Sequence, residues 1–101
     1  MNVYPAEIEE VLQQIYQVSE ACVFGVKDKI NGEYLVAYII LKDSKNPNIS
    51  NESIYKHLRE NLSNFKIPRE VFFVKKFPKT ASGKVLKREL KERYIQEKTL
   101  E

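Results

Sequence analysis

Two apolar segments on either side of Asn31 and Gly32 constrain the fold more than any other feature of the sequence. The segments, EACVFGV (20–26) and EYLVAYIILK (33–42), are rich in the β-branched and aromatic residues that favour strands. An Asn-Gly pair between such segments is a strong hairpin signal, although the connection can be longer than two residues. Because the second segment is apolar on both of its faces, we expect it to be the central strand of a small sheet.

The segment before this hairpin, YPAEIEEVLQQIY (4–16), has the periodicity of an amphipathic helix. Pro5 suits the first helical position, and Glu7, Glu9 and Glu10 complement the positive end of the helix dipole. After the hairpin, Ser50 or Asn51 is placed to cap a second helix that ends before Pro68. The apolar residues that recur at helical spacing in this second helix are Ile54, Leu58, Leu62 and Phe65.

The last third of the chain has the pattern of a strand, a loop and a helix. EVFFVKKF (70–77) predicts a third strand, PKTASG (78–83) a loop, and VLKRELKERYIQE (85–97) a final helix with Leu86, Leu90 and Tyr94 in line. The tail, residues 96–101, is expected to be frayed. The order α-β-β-α-β-loop-α predicts one α/β (α+β) domain over residues 1–101. We expect a two-layer sandwich, with a three-stranded sheet containing an antiparallel hairpin and about three helices.

Composition and charge narrow the class of protein. Apolar residues make up 43% of the chain and charged residues 31%, as in ordinary globular domains. No apolar run is long enough to span a membrane and the amino terminus has no signal-peptide pattern, so we expect a cytoplasmic protein. Residues 66–98 hold 11 basic and 4 acidic residues, which favours an anionic partner at this end, with a merely solvated face as the equally weighted alternative.

Several familiar kinds of site are not supported by the sequence. A phosphate-binding loop ending in Gly83-Lys84 would need glycine where Pro78 stands and serine or threonine where Val85 stands. His57 is the only histidine and has no partner for a metal site, so we expect a surface role. Cys22 lies in an apolar run and is expected to be a buried, unreactive thiol.

Lys84 is the strongest candidate for function on physical grounds. It follows KTASG, a glycine-containing loop between a strand and a helix, and a long cationic side chain there can extend well beyond its own domain. Such a residue suits insertion into the site of another domain. The alternative is an ordinary exposed lysine on a turn.

Three segments together resemble the adenylate-forming (AMP-binding) superfamily, which includes acyl-CoA synthetases, the adenylation domains of peptide synthetases and firefly luciferase. PKTASGKVLKREL (78–90) is similar to the last signature motif of the superfamily, and NVYPAEIEEVL (2–12) to the end of the hinge motif. LSNFKIPREVFFV (62–74) resembles the intervening segment of acyl-CoA synthetases. The resemblance implies the small carboxyl-terminal domain, a mobile lid on a large amino-terminal domain, with residues 1–4 as the end of the hinge.

The resemblance implies a two-step reaction, in which a carboxylic acid and ATP form an acyl-adenylate and the acyl group then passes to CoA. Lys84 matches the lysine that stabilises the adenylation step, and Thr80, Ser82 and Gly83 are expected to support its loop. Mg²⁺ is expected in the large domain, which is normally part of the same chain. Because the sequence begins inside the hinge motif, we expect the isolated domain to be inactive, as an excised domain or as a lid acting in trans.

The same resemblance implies residues on the CoA side of the lid. Asn2, Val3 and Tyr4 continue the hinge, and Phe65 matches an aromatic that lies against the CoA nucleotide in some relatives. Core packing is an equally weighted role for Phe65, and Lys66 is a weaker candidate for a CoA phosphate. Some relatives carry arginine where this chain has Ile67, which weakens the transfer of their CoA contacts.

A function of another class is a small basic module that binds nucleic acid. The basic region and the aromatic pair Phe72 and Phe73 on a strand would support it. Because these aromatics lie in an apolar strand and no recognised nucleic-acid motif is present, nucleic acid is not an expected partner.

Overall fold

The structure, a computed structural model, describes residues 4–30 and 32–100. These residues form three α-helices, three strands and one short 3₁₀ helix. In chain order the elements are α1 (Pro5–Gln13), β1 (Val18–Asp28), β2 (Gly32–Leu41), α2 (Asn51–Asn61), the 3₁₀ helix (Asn64–Lys66), β3 (Glu70–Phe73) and α3 (Lys87–Thr99). This confirms the predicted order of helices and strands and the α+β class.

The sheet has the order β1-β2-β3, which confirms the central position predicted for β2. β1 and β2 are antiparallel from the Val18–Leu41 pair to the Asp28–Gly32 pair, with an irregularity between Val18 and Glu20. β3 lies parallel to β2, so the chain must cross between them through α2. Asn31 of the predicted turn lies outside the described residues, while Gly32 has φ +82°, a conformation that favours glycine in turns.

Helices cover both faces of the sheet. On one face α1 and α2 pack over alternate strand residues, and the apolar cluster includes Ile8, Leu12, Val23, Ala37, Ile39, Ile54 and Leu58. On the other face α3 covers the intervening residues, and the cluster includes Cys22, Phe24, Val36, Tyr38, Phe77, Leu90 and Tyr94. The predicted two-layer sandwich did not include α3 as a layer of its own. The pattern of β2 shows that both of its faces are covered, but not which helix covers each face.

Polar contacts of Tyr94 fasten α3 to the sheet. Its hydroxyl donates to the Glu70 carboxylate and lies 2.9 Å from the Tyr34 hydroxyl. The Lys98 ammonium forms an ion pair with the same Glu70 carboxylate at 3.1 Å. The sequence predicted fraying for residues 96–101, but residues 96–99 lie within α3. The Lys98–Glu70 ion pair ties this last turn to the sheet.

The boundaries of some elements differ from the predictions. β3 ends at Phe73 instead of residue 77, because Phe77 turns under α3 and is buried in the second cluster. α2 ends at Asn61, and Phe65, predicted to continue its stripe, belongs to the separate 3₁₀ helix. Ser50, one of the two predicted caps, begins α2 with a reciprocal capping box to Ser53.

Candidate functional site

The segment from Lys79 to Val85 is a narrow antiparallel hairpin that leads into α3. Lys79 pairs with Val85, the Thr80 amide donates to the Lys84 carbonyl at 2.9 Å, and the Leu86 amide donates to the Pro78 carbonyl at 2.8 Å. These bonds tie the two legs of the hairpin together at its base. The predicted loop is thus an ordered structure, and Lys84 starts its second leg.

Gly83 allows the chain to turn at the tip of this hairpin. Its amide donates to the Thr80 carbonyl at 2.9 Å, and its φ is +92°, in the region that residues with a side chain rarely adopt. A three-residue hairpin loop that ends in such a glycine is a common way to close two antiparallel legs. The conformation explains why glycine stands directly before Lys84.

The Thr80 and Ser82 hydroxyls brace the tip from inside. Thr80 Oγ1 accepts a hydrogen bond from the Lys84 amide at 3.1 Å and lies 3.0 Å from Ser82 Oγ. The backbone of Lys84 is therefore held by a side chain as well as by the hairpin. Together with Gly83, these are the three residues for which the sequence predicted a supporting role, and the structure brings all three to the base of Lys84.

The Lys84 side chain is exposed, and no carboxylate of residues 4–30 or 32–100 forms an ion pair with its ammonium group. Its neighbours along the chain behave differently. Lys79 pairs with Glu20 at 2.9 Å, and Lys87 pairs with Glu9 at 2.9 Å. The hairpin therefore presents one uncompensated cation from a rigid base, while the lysines on either side of it attach that base to the domain.

Glu9 is a site residue that sequence reasoning missed. From the sequence we expect it only to complement the helix dipole, yet its Oε2 accepts hydrogen bonds from both the Val23 amide, at 2.8 Å, and Lys87 Nζ. Because 78 positions separate Glu9 from Lys87, no local pattern could have paired them.

Of the residues predicted for the CoA side, Tyr4 directly precedes α1, and Phe65 and Lys66 lie in the 3₁₀ helix. Phe65 is 47% exposed and Tyr4, which precedes α1, is 64% exposed. Lys66 Nζ contacts both oxygens of the Glu7 carboxylate, at 3.0 and 3.1 Å, and lies 5.6 Å from the centre of the Phe65 ring. The core role considered for Phe65 is not what the structure shows, and Asn2 and Val3 lie outside the described residues.

Helix α1 separates the two candidate surfaces. Glu7 and Glu9 are two residues apart and so project from the helix in directions about 200° apart. Glu7 binds Lys66 and Glu9 binds Lys87, which places the Phe65 segment and the Lys84 hairpin on different sides of α1. The two candidate surfaces therefore face in different directions.

The histidine and the cysteine have structural surroundings. His57 Nε2 lies 3.0 Å from the Val11 carbonyl oxygen and 3.2 Å from Gln14 Oε1, which links α2 to α1. Burial raises the pKa of the Cys22 thiol to about 11, with Lys87 opposing and Glu9 adding to the shift. A thiol with a raised pKa carries little thiolate near neutral pH and is a poor nucleophile.

The described residues do not form the other kinds of site that the sequence raised. No group of three or more acidic, histidine or cysteine side chains in the described part of the chain is arranged to hold a metal ion. None of the described helices combines the length and the apolarity needed to cross a membrane. Phe72 packs against Tyr38 at 5.2 Å between ring centres while Phe73 is 41% exposed, so the two rings do not form one stacking surface.

Comparison with known proteins gives a consistent result. Residues 7–84 match the family described as the AMP-binding enzyme C-terminal domain. Over 94 residues the chain is 37% identical to a long-chain-fatty-acid–CoA ligase of Haemophilus influenzae, covering 93% of this chain and 16% of the relative. It is 40% identical over 93 residues to a fatty acid–[acyl-carrier-protein] ligase of Streptomyces coeruleorubidus, covering 92% of this chain and 18% of the relative.

A solved structure resembles the fold over nearly the whole chain. The O-succinylbenzoate coenzyme A synthetase of Bacillus subtilis, in complex with ATP and magnesium ion, superposes with a TM-score of 0.78 and 36% sequence identity. The match covers 90% of this chain and 18% of that enzyme. The chain thus spans less than a fifth of the length of these relatives.

Proposed function

The chain belongs to the AMP-binding enzyme C-terminal domain family. We propose that it is the lid domain of an ATP-dependent acid–CoA ligase of the acyl-CoA synthetase type. The observation that carries the proposal is the exposed, uncompensated ammonium group of Lys84 on a braced hairpin. The reaction we assign to the complete enzyme joins a carboxylic acid to AMP with release of pyrophosphate, then transfers the acyl group to the CoA thiol with release of AMP.

Lys84 has a role in the first step. As a carboxylate oxygen attacks the α-phosphorus, negative charge increases on the phosphoryl oxygens, and a cation already held in place stabilises that charge without reorganisation. The hairpin supplies such placement, because the Lys84 amide and carbonyl are both hydrogen-bonded within it. Because Lys84 forms no ion pair among residues 4–30 and 32–100, its charge is available to the substrates.

The second step uses the other surface. We propose that the lid then rotates about the hinge before α1, so that Lys84 leaves and the segment with Asn2, Val3, Tyr4 and Phe65 faces the CoA channel. Lys66 is a weaker candidate for a CoA phosphate, because Glu7 already compensates its charge.

Partners and cofactors follow from the same proposal. A large adenylating domain, normally in the same chain, would bind ATP and the acid. We assign Mg²⁺ to that domain, since the described residues 4–30 and 32–100 hold no cluster of metal ligands. The location we propose is the cytoplasm. The match to a carrier-protein ligase makes a carrier-protein thiol the alternative acceptor to CoA.

The test is Lys84→Ala in the ligase that contains this domain, with the two half-reactions measured separately. Adenylation, followed by acid-dependent exchange of pyrophosphate into ATP, should slow on the order of 10²–10³-fold, the cost of removing one such donor. Acyl transfer from supplied acyl-adenylate to CoA should stay within about twofold of the unmodified enzyme. Lys75→Ala, which removes another exposed lysine outside the hairpin, is the control; equal losses in both half-reactions of Lys84→Ala would contradict the proposal.

A further inference from the structure

The Glu9 carboxylate connects elements that lie on opposite faces of the sheet. Glu9 belongs to α1 on one face, Lys87 begins α3 on the other, and their ion pair passes around the outer edge of β1. The same carboxylate oxygen accepts a hydrogen bond from the Val23 amide of that edge. Because this backbone bond fixes the carboxylate to the sheet, Glu9 offers Lys87 a stationary partner.

The position of Lys87 determines where the hairpin points. Only Val85 and Leu86 separate Lys87 from Lys84, and the Leu86 amide is bonded to the Pro78 carbonyl at the hairpin base. Val85 also packs against the second apolar cluster. A shift of Lys87 would therefore pass directly to the base of the hairpin and to Lys84.

The tip of the hairpin has few contacts of its own to resist such a shift. Residues 81–84 are all exposed, and the tip's hydrogen bonds are internal to residues 80–84. Internal bonds preserve the shape of the tip but not its direction relative to the sheet. That direction depends on the two legs, through the Lys79–Glu20 and Lys87–Glu9 ion pairs and the packing of Phe77 and Val85.

Of the two ion pairs, the one with Glu9 is the better constrained. The Glu9 side chain is 22% exposed and has a backbone hydrogen bond in addition to the ion pair. Both members of the Lys79–Glu20 pair are 36% exposed, so solvent weakens their attraction more.

We infer that Glu9 is a positioning residue for adenylation, which holds the Lys84 hairpin in its productive direction through Lys87 and the edge of β1. This inference rests on the proposed function of Lys84.

The test is Glu9→Gln in the complete ligase, since glutamine retains an oxygen for the Val23 amide and loses only the charge that attracts Lys87. Misplacement of a catalytic group by a fraction of an ångström to 1 Å costs up to about 10²-fold in rate. We expect adenylation to slow about tenfold through kcat, with the KM for ATP and acyl transfer to CoA within about twofold. Glu10→Gln, an exposed glutamate on the same helix, is the matched control and should leave both half-reactions unchanged.

Lys87→Met provides a second route to the same interaction if Glu9→Gln does not fold. Lys87 is 41% exposed, so its removal leaves the core intact. It should slow adenylation by a similar factor, and the double variant should be no slower than the slower single variant, because both changes break one interaction. Multiplying losses in the double variant would overturn the inference.

Amide hydrogen exchange of the 101-residue chain supplies a readout that does not depend on activity. Exchange at the Leu86 amide, which closes the hairpin base, should accelerate in Glu9→Gln and not in Glu10→Gln. If Lys84→Ala slows adenylation while Glu9→Gln changes neither adenylation nor this exchange, the inference is wrong and the proposed function stands. If Lys84→Ala has no effect on adenylation, the proposed function fails, and accelerated exchange alone would still support the structural role of Glu9.

Discussion

At the scale of single residues, the backbone angle of Gly83 sets the path of the chain into Lys84. A φ of +92° costs an L-residue about 1–2 kcal/mol, yet no atom outside Gly83 and its two chain neighbours lies within 4 Å of where a Cβ would be. Any penalty from a substitution there therefore comes from the local backbone and not from a clash with another part of the fold. The glycine-containing sequence predicted the loop and identified Lys84 as the candidate residue on it. The ion pair between Glu9 and Lys87 could not be predicted, because contacts between residues distant in the chain leave no local pattern.

The change Gly83→Ala should loosen the hairpin tip and slow adenylation about tenfold, because the strain would be relieved by rotating the Lys84 backbone. Gly32→Ala is the matched control, since Gly32 has a similar φ of +82° and equally open surroundings. It pairs with Asp28 at one end of the β1–β2 ladder, whereas the hairpin contacts Glu20 near the other end. Both variants should lose similar stability in chemical denaturation. Only Gly83→Ala should lose adenylation, and equal adenylation in the two variants would contradict the role given to this angle.

At the scale of elements, α2 is the helix whose beginning the sequence specified most directly. Ser50 accepts from the Ser53 amide at 3.1 Å, and the Ser53 hydroxyl reciprocates at the Ser50 amide at 3.3 Å. Capping chemistry is local and could be predicted. The extent of β3 could not be predicted. The strand ends at Phe73, and Phe77 is instead buried against α3, a helix that follows later in the chain.

Replacing the cap with Ser50→Ala should lower the free energy of unfolding by about 1 kcal/mol, the usual cost of removing an N-cap side chain. The chain offers a matched control in Ser63→Ala, because Ser63 precedes the 3₁₀ helix but makes no side-chain capping bond. Urea denaturation of both variants measures the difference. An equal loss in both would show that the capping box does not stabilise α2.

At the scale of the whole molecule, the two candidate surfaces are separated by α1, and this separation makes them independently testable. The Lys66–Glu7 and Lys87–Glu9 ion pairs attach one surface to each side of the helix. The order of elements and the central strand followed from local patterns, so the sequence could predict them. Which face of the sheet each helix covers was not predictable, because both faces of β2 are equally apolar.

Phe65→Ala in the complete ligase should raise the KM for CoA about tenfold, within the range that stacking of a base on an aromatic ring provides. Adenylation should be unchanged, since Phe65 and Lys84 lie on different sides of α1. Phe73→Ala is the control, because Phe73 is a similarly exposed aromatic, at 41% against 47%, on another part of the surface. A larger loss in adenylation than in acyl transfer for Phe65→Ala would contradict the assignment of this surface to CoA.

The Lys84 hairpin is held by its own backbone, the Thr80 hydroxyl, the two ion pairs to α1 and β1, and the packing of Phe77 and Val85. Under the proposed rotation of the lid, these bonds would move with the domain and the lysine would keep its place in it. For protein engineering this makes the domain an interchangeable part. On the proposed function, a hybrid that joins it to a different adenylating domain should inherit a ready-made lysine and take its acid specificity from the other parent.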